Sequence, residues 1–171
     1  MYDLWVRIAS QESSAFIESS PTAYEFPSMI ASLKSGRDWD VNWLVIKGSA
    51  SAGDGRSWSF RHPSLTTWEA ATLHAWLLSV SEQQVTPTTS IDEDGSLLFF
   101  TEPNLAFSVT EYADAGASIR CHLSHEALPS WMQDENMPEI WASFASLRVS
   151  NEDLRCAAGE WAQELSAFPE R

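Results

Sequence analysis

Hydrophobic residues alternate with polar ones through much of this chain, whereas two stretches show the spacing of an amphipathic helix. The first begins with Thr66 and Glu69, which form a T-x-x-E capping box, and its apolar stripe consists of Leu73, Trp76, Leu77 and Val80. The second begins at Ser150 or Asn151, and its stripe consists of Leu154, Trp161, Leu165 and Phe168. These patterns predict two main helices, near 66–80 and 151–167.

The alternating stretches predict an antiparallel sheet of about six to eight strands. Leu4, Val6 and Ile8 indicate a first strand, and the serine-rich residues 10–22 are predicted to be a loop. The apolar run 41–50 and the alternating residues 56–61 predict a hairpin that turns at Gly53, Asp54 and Gly55. Three strands are expected within 96–125, beginning with one from Leu97 to Thr101, and a final strand over 144–149. Residues 129–141 are predicted to be irregular.

These elements together predict an α+β fold, with both helices packed on one face of the sheet. A chain of 171 residues is expected to form a single domain over 1–171. No internal repeat is evident in the sequence. With two cysteines, Cys121 and Cys156, and neither a signal sequence nor a long apolar run, a cytoplasmic protein with free thiols is expected. A disulfide between the two cysteines is the alternative.

The net charge of −14 is concentrated in one part of the chain. Residues 81–140 contain eleven acidic residues and one basic residue, Arg120. Such a surface disfavours binding to nucleic acid or to an anionic membrane, both of which attract basic proteins. It suits a basic partner, because complementary charge accelerates encounter. The alternative is that the charge serves only solubility.

The candidate catalytic and metal-binding residues do not have the spacing that known catalytic or metal-binding motifs require. His122 and His125 lie near Cys121 and Glu126, but neighbouring residues of a strand point to opposite faces, so no metal site is predicted. Both are expected to be ordinary surface or edge histidines. The run from Asp92 to Gly95 has its glycine at the wrong position for a calcium loop. No nucleophile elbow, phosphate-binding loop or other catalytic set is present, and neither an enzyme nor a cofactor is predicted.

Tryptophan is abundant, with nine residues in the chain. Five of them fall within predicted elements and are expected to pack in the core: Trp43, Trp58, Trp68, Trp76 and Trp161. Trp131 lies in a proline-flanked irregular segment and is a candidate for an exposed residue that contacts a partner.

Several segments resemble the WapI-type immunity proteins, which bacteria carry beside secreted contact-dependent toxins. These segments are YEFP at 24–27, WDVNWLVIKG at 39–48, GRSWSFRHPSLTTWEA at 55–70, FTEPNLAFSV at 100–109 and LSAFPER at 165–171. The resemblance implies a cytosolic antidote that binds the C-terminal nuclease domain of the toxin, with transfer RNA as the toxin's substrate. It assigns no contact residues, because these differ among members of such families.

Three functions are therefore compared. The first is toxin neutralisation by binding a basic nuclease domain, and the second is a small-molecule-binding or enzymatic domain with a tryptophan-lined pocket. The third is a general protein-interaction module. For the first, the candidate partner-binding residues are the acidic residues of 81–140 and the irregular tryptophan: Asp92, Glu93, Asp94, Asp114, Trp131, Asp134 and Glu135.

Overall fold

The computed structural model describes residues 5–29, 37–90, 96–134 and 137–171. Its first sheet contains β1 (Val6–Ala9), β2 (Phe16–Tyr24), β3 (Trp43–Ser51) and β4 (Trp58–Thr66), all antiparallel and in sequential order. A short helix, α1 (Trp39–Asn42), precedes β3. The main helix α2 (Thr67–Ser81) follows β4 without an intervening loop.

The second sheet repeats this arrangement. It contains β5 (Leu98–Phe99), β6 (Leu105–Ala113), β7 (Gly116–Leu123) and β8 (Phe144–Ser150), again antiparallel and in sequential order. The helix α3 (Asn151–Leu165) follows β8 directly. The predicted α+β class and strand number are confirmed, with eight strands in the described residues, but the strands form two sheets. Each half is four strands followed by a helix of 15 residues, although no sequence repeat is evident.

The same capping geometry begins both main helices. At α2, the backbone N–H of Glu69 donates to Thr66 Oγ1 at 3.3 Å, and the N–H of Thr66 donates to Glu69 Oε2 at 2.8 Å. At α3, Ser150 and Asp153 exchange the equivalent bonds. The other carboxylate oxygen of Glu69 accepts from the N–H of Thr101, 2.8 Å away. The predicted capping box is confirmed, and it also joins α2 to the turn between β5 and β6.

Replacing Thr66 with alanine is expected to lower the free energy of unfolding by about 1 kcal/mol, because the acceptor for an otherwise unpaired amide is lost. Thr66→Ser keeps the hydroxyl and is the matched control. Urea denaturation followed by circular dichroism measures both variants. An unchanged midpoint for the alanine variant would show that the cap contributes nothing.

A single hydrophobic cluster contains residues from both sheets and from both main helices. Trp161 of α3 is 1% exposed, and its indole Nε1–H donates to the carbonyl oxygen of Ala70 in α2 at 2.8 Å. Trp76 of α2 contacts Phe107 of β6, with ring centroids 5.6 Å apart. The helix pair therefore packs against the inner faces of both sheets and joins the two halves.

Several predictions about individual elements are confirmed. The hairpin of β3 and β4 turns through Gly53 and Gly55, whose φ angles of 90° and 84° are in the region that favours glycine. Val6 and Ile8 are buried on one face of β1. The first strand of the 96–125 region is shorter than predicted, since only Leu98–Phe99 pairs as β5.

The prediction that residues 10–22 form a loop is wrong. Residues 16–24 are strand β2, which pairs with β1 on one side and β3 on the other. Two neighbouring strands satisfy its backbone groups, so its serine content does not prevent strand formation. Pro21, a residue poorly tolerated in a central strand, lies beside a register shift between Pro21 and Ala23, where the ladder is interrupted.

The core assignment of the five tryptophans is confirmed for Trp76 and Trp161, which are buried, and Trp58 is partly buried and packs against the core cluster. Trp43 and Trp68 are partly exposed and lie outside that cluster. Trp39, Trp43 and Trp68 form one aromatic group, in which Trp39 and Trp68 meet edge to face at 4.8 Å. The tryptophans are thus distributed between the core and several surface clusters.

Candidate partner-binding surfaces

Four of the seven predicted partner-binding residues lie outside the described residues: Asp92, Glu93, Asp94 and Glu135. The other three, Asp114, Trp131 and Asp134, are exposed. Asp114 lies in the turn between β6 and β7, whereas Trp131 and Asp134 follow the opposite end of β7. The nine residues of β6 separate these two ends by about 27 Å. The structure therefore does not bring Asp114 together with Trp131.

The other described acidic residues of 81–140 also fall into two groups. Glu82 and Glu111 lie toward the Asp114 end, since the neighbour of Glu82, Gln83, donates to the carbonyl oxygen of Ala113 at 2.9 Å. At the opposite end, Glu126 accepts from Asn104 Nδ2 at 2.7 Å, and Glu139 borders the same groove as Pro103. Glu102 lies beside Pro103, in the turn between β5 and β6. The acidic stretch is continuous in sequence but divided in space.

Trp131 lies at the junction between the two halves of the fold. Its ring meets Trp58 of β4 edge to face at 6.1 Å, and the guanidinium of Arg56 lies 4.9 Å from its centroid. The Nε1–H of Trp58 donates to the carbonyl oxygen of Ala127 at 2.8 Å, which fixes the second ring. Trp131 remains 44% exposed, so its side chain is positioned by neighbours and accessible to a partner.

A second aromatic surface lies on the outer face of the second sheet. Four residues form one row across its strands, because Phe99 pairs with Ala106, Ala106 with His122, and His122 with Phe144. Phe99 is 59% exposed and Phe144 is 37% exposed. The segment before β8 crosses this row, where the Trp141 ring lies 5.4 Å from that of Phe99 and Ile140 is 44% exposed. We call Phe99, Ile140, Trp141 and Phe144 the aromatic face.

The aromatic face includes an open groove of about 600 Å³. It is lined by Phe99, Phe100, Thr101, Pro103, Glu139, Ile140 and Trp141. Its walls are thus mainly aromatic and aliphatic, with one carboxylate beside them. A groove of this composition can accept an apolar side chain of a partner protein.

Trp141 is held in a strained but well-supported position. Its φ angle is 64°, which is unfavourable for a residue with a bulky side chain. Its backbone N–H donates to Ser124 Oγ at 2.7 Å, and its carbonyl oxygen accepts from His122 Nδ1 at 2.7 Å. The indole Nε1 is buried and has no hydrogen-bond partner within the described part of the chain. Strain of this kind often marks a functional position.

His122 is buried, so the prediction of an ordinary surface or edge histidine is wrong. The segment containing Trp141 covers it, and both ring nitrogens are hydrogen bonded. A carbonyl oxygen can only accept, so Nδ1 carries the proton and Nε2 accepts from the hydroxyl of Ser108 at 2.9 Å. Burial lowers the pKa of His122, an effect that the bond to Trp141 opposes and the nearby Arg120 charge reinforces.

The buried His122 predicts that stability decreases in mild acid. Because its folded pKa lies below the ordinary 6.5, the unfolded chain binds the proton more readily than the folded protein. The contribution from neutral His122 is complete above 6.5 and is lost as the pH falls toward the folded pKa. The urea midpoint should therefore fall between about pH 7.5 and about pH 5.5 by more in the wild type than in His122→Gln. Equal decreases in the two proteins would contradict this assignment.

The polar residues near His122 have separate partners. Cys121 faces the core, where burial raises the pKa of its thiol, and Glu126 bonds to Asn104 and approaches His62 at 3.9 Å. No group of three or more potential ligands that could hold a metal occurs among the described residues. Cys156 is exposed, and both cysteines are free thiols. The arrangement offers aromatic and hydrogen-bonding surface for a protein partner.

Phe99, Ile140, Trp141 and Phe144 were not predicted as contact residues. A signal was present for Phe144, because the core positions of β8 are Ala145, Leu147 and Val149, which places Phe144 on the opposite face. Phe99 has the corresponding position on β5. An aromatic residue on the solvent-facing positions of a strand is a recognisable indication of a binding surface.

No helix in the described ranges is both long and apolar enough to cross a lipid bilayer. No curated protein and no solved structure shows significant similarity to the chain. The model of the Immunity protein WapI-like family matches residues 7–169, which include every strand after the start of β1 and all three helices. The match covers nearly the whole chain, and the chain belongs to the WapI-like family of immunity proteins.

Proposed function

We propose that this protein is a cytosolic antidote that binds and neutralises the C-terminal nuclease domain of a secreted contact-dependent toxin. The observation that carries the proposal is the family match over residues 7–169. Immunity proteins act by binding a toxin, and the exposed aromatic side chains of this chain are suited to that role. Transfer RNA is the substrate we expect the toxin to cleave.

The charge of the protein supports a basic partner. A nuclease binds phosphates and therefore carries basic surface, whereas this chain has a net charge of −14. Opposite charges accelerate encounter over distances of about 8 Å at physiological ionic strength. An acidic surface can also occupy the positions that RNA phosphates would take on the nuclease, which would prevent substrate binding.

The acidic run Asp92, Glu93 and Asp94 is expected to contribute to the association rate. Changing these residues together to Asn, Gln and Asn should slow association and weaken its dependence on salt, with a smaller effect on dissociation. A control with the same charge change is Glu12→Gln, Asp40→Asn and Glu160→Gln, which alters exposed residues outside 81–140. Surface binding kinetics at two salt concentrations measure both. If the two triple variants change the association rate equally, the acidic run contributes only to the net charge of the protein and not to the contact surface.

Trp131 is expected to affect dissociation more than association, because a side chain that becomes buried in the interface mainly determines the lifetime of the complex. Trp131→Ala should therefore accelerate dissociation from the toxin domain and leave association nearly unchanged. The proposed function itself is tested by the wild type, which should bind the toxin domain encoded beside it. Absence of binding would contradict the proposal.

A further inference from the structure

The outer faces of the two sheets, which point away from the shared core, can be compared with each other. On the first sheet, the strand register places Arg7, Glu18, Ser49 and Ser59 in one outward row, which is entirely polar. On the second sheet, the outward row is Phe99, Ala106, His122 and Phe144. The neighbouring outward position of the first sheet also holds an aromatic residue, Phe16, whose ring is covered by the guanidinium of Arg7 at 4.1 Å. The second sheet differs because Phe99 and Phe144 remain 59% and 37% exposed at the two ends of a row whose middle, His122, is covered by the segment of Trp141.

The aromatic face is also preorganised. Ser124 and His122 hold the backbone of Trp141 from both sides, and its ring rests against Phe99. Arg120 lies 4.3 Å from the centroid of Phe144 and supports the other end of the row. Side chains fixed before binding lose little conformational entropy when a partner docks, so this face is suited to a tight contact.

The charges around this face define the partner. Glu139 borders the groove, and Glu102 lies in the turn beside it. Of the acidic side chains described between 96 and 146, Glu102, Glu126, Asp134 and Glu139 lie toward this end of the sheet, and the single basic residue described in that range, Arg120, covers Phe144. An apolar centre with an acidic rim complements a protein surface with an apolar protrusion surrounded by lysine or arginine.

We propose that the aromatic face is the surface that binds the toxin domain. An apolar side chain of the toxin fills the groove between Phe99 and Trp141, and basic toxin residues meet Glu102 and Glu139. This proposal rests on the proposed function and assigns a location to it. It adds a sheet face to the contact, beside the contributions expected of the acidic run and of Trp131.

The test compares two double variants of exposed apolar residues in surface binding kinetics with the toxin's nuclease domain. Phe99→Ser with Ile140→Ser removes the apolar centre, whereas Phe26→Ser with Met29→Ser changes residues that are also exposed but lie after β2. We expect the first pair to weaken binding by about 100-fold, mainly through faster dissociation, and the second pair to change it by less than about threefold.

A rim substitution provides a second readout that does not depend on the apolar residues. Glu139→Lys should slow association about tenfold at low salt, while Glu160→Lys, an equal charge change on the exposed side of α3, should have a much smaller effect. Thermal unfolding of each variant shows whether the fold is retained.

The outcomes separate this proposal from the proposed function. Wild-type binding that is unaffected by the Phe99 and Ile140 variant and by Glu139→Lys would overturn the location and leave the toxin-binding function intact. Failure of the wild type to bind would overturn both. A wild-type dimer that becomes monomeric in the Phe99 and Ile140 variant, with unchanged toxin binding, would show that a second copy occupies the face.

Discussion

Trp161→Ala is expected to lower the free energy of unfolding by about 4 kcal/mol. The side chain is 1% exposed, so its removal leaves a cavity between α2, α3 and the inner faces of both sheets. The substitution also removes the Nε1–H bond to Ala70, which joins the two helices. A small void lined by Trp161, Leu73 and Phe107 already exists beside the ring, so the new cavity would extend it.

Urea denaturation with fluorescence and circular dichroism measures this effect. Trp39→Ala is the matched control, because it removes the same side chain from a site that is 48% exposed, and we expect a loss of about 1 kcal/mol or less. Similar losses for the two variants would contradict the role of Trp161 in joining the halves of the fold.

Gly116→Ala is expected to destabilise the protein by about 3 kcal/mol. A Cβ at this position would overlap the carbonyl oxygen of Val149 and would lie 3.1 Å from the Cα of Ser150. Both are backbone atoms of β8, so relief requires the paired strands to separate. The change also affects the start of α3, because the N–H of Asn151 donates to the carbonyl oxygen of Ala115 at 2.9 Å.

Helix α3 provides a control substitution that should raise stability instead of lowering it. Gly159 lies within α3, and a Cβ there would have no atom within 4 Å. Gly159→Ala should therefore stabilise the protein by about 0.5–1 kcal/mol, since alanine favours the helix. Thermal denaturation of both variants tests the pair. A Gly116→Ala protein as stable as the wild type would show that β7 and β8 are less closely packed than described.

The helices could be predicted from the sequence because their signals are local. Thr66 and Glu69 form hydrogen bonds within one turn, and the stripe from Leu73 to Val80 has the helical period, which differs from the two-residue period of the strands. The hairpin at Gly53 and Gly55 is equally local, since the turn itself requires positive φ.

The features that could not be predicted depend on distant parts of the chain. Strand β2 is stabilised by partners on both sides, β1 and β3, and its residues pair with β3 residues 20 to 35 positions away. His122 is buried because residues near Trp141 cross over it, and nothing at position 122 indicates that cover. The division of the strands into two sheets is likewise set by pairing and not by periodicity.

The candidate binding surface could not be predicted from the sequence for the same reason. The acidic stretch 81–140 is one region in sequence, but β6 takes the chain from one end of the sheet to the other. Acidic residues near Asn104 and near Ala113 therefore lie at different ends. Residues 140, 141 and 144 of the aromatic face are close in sequence, but Phe99 joins them only through the pairing of β5 to β8 and the contact of its ring with that of Trp141.

Titration of the protein into a transfer-RNA cleavage reaction measures whether it neutralises the proposed nuclease toxin. The reaction contains the nuclease domain of the proposed partner toxin at a concentration well above the expected dissociation constant. Cleavage should decrease linearly and stop at one molecule of this protein per toxin domain, because binding blocks each nuclease molecule stoichiometrically. Cleavage that continues unchanged in the presence of excess protein would show that this protein does not neutralise the nuclease domain.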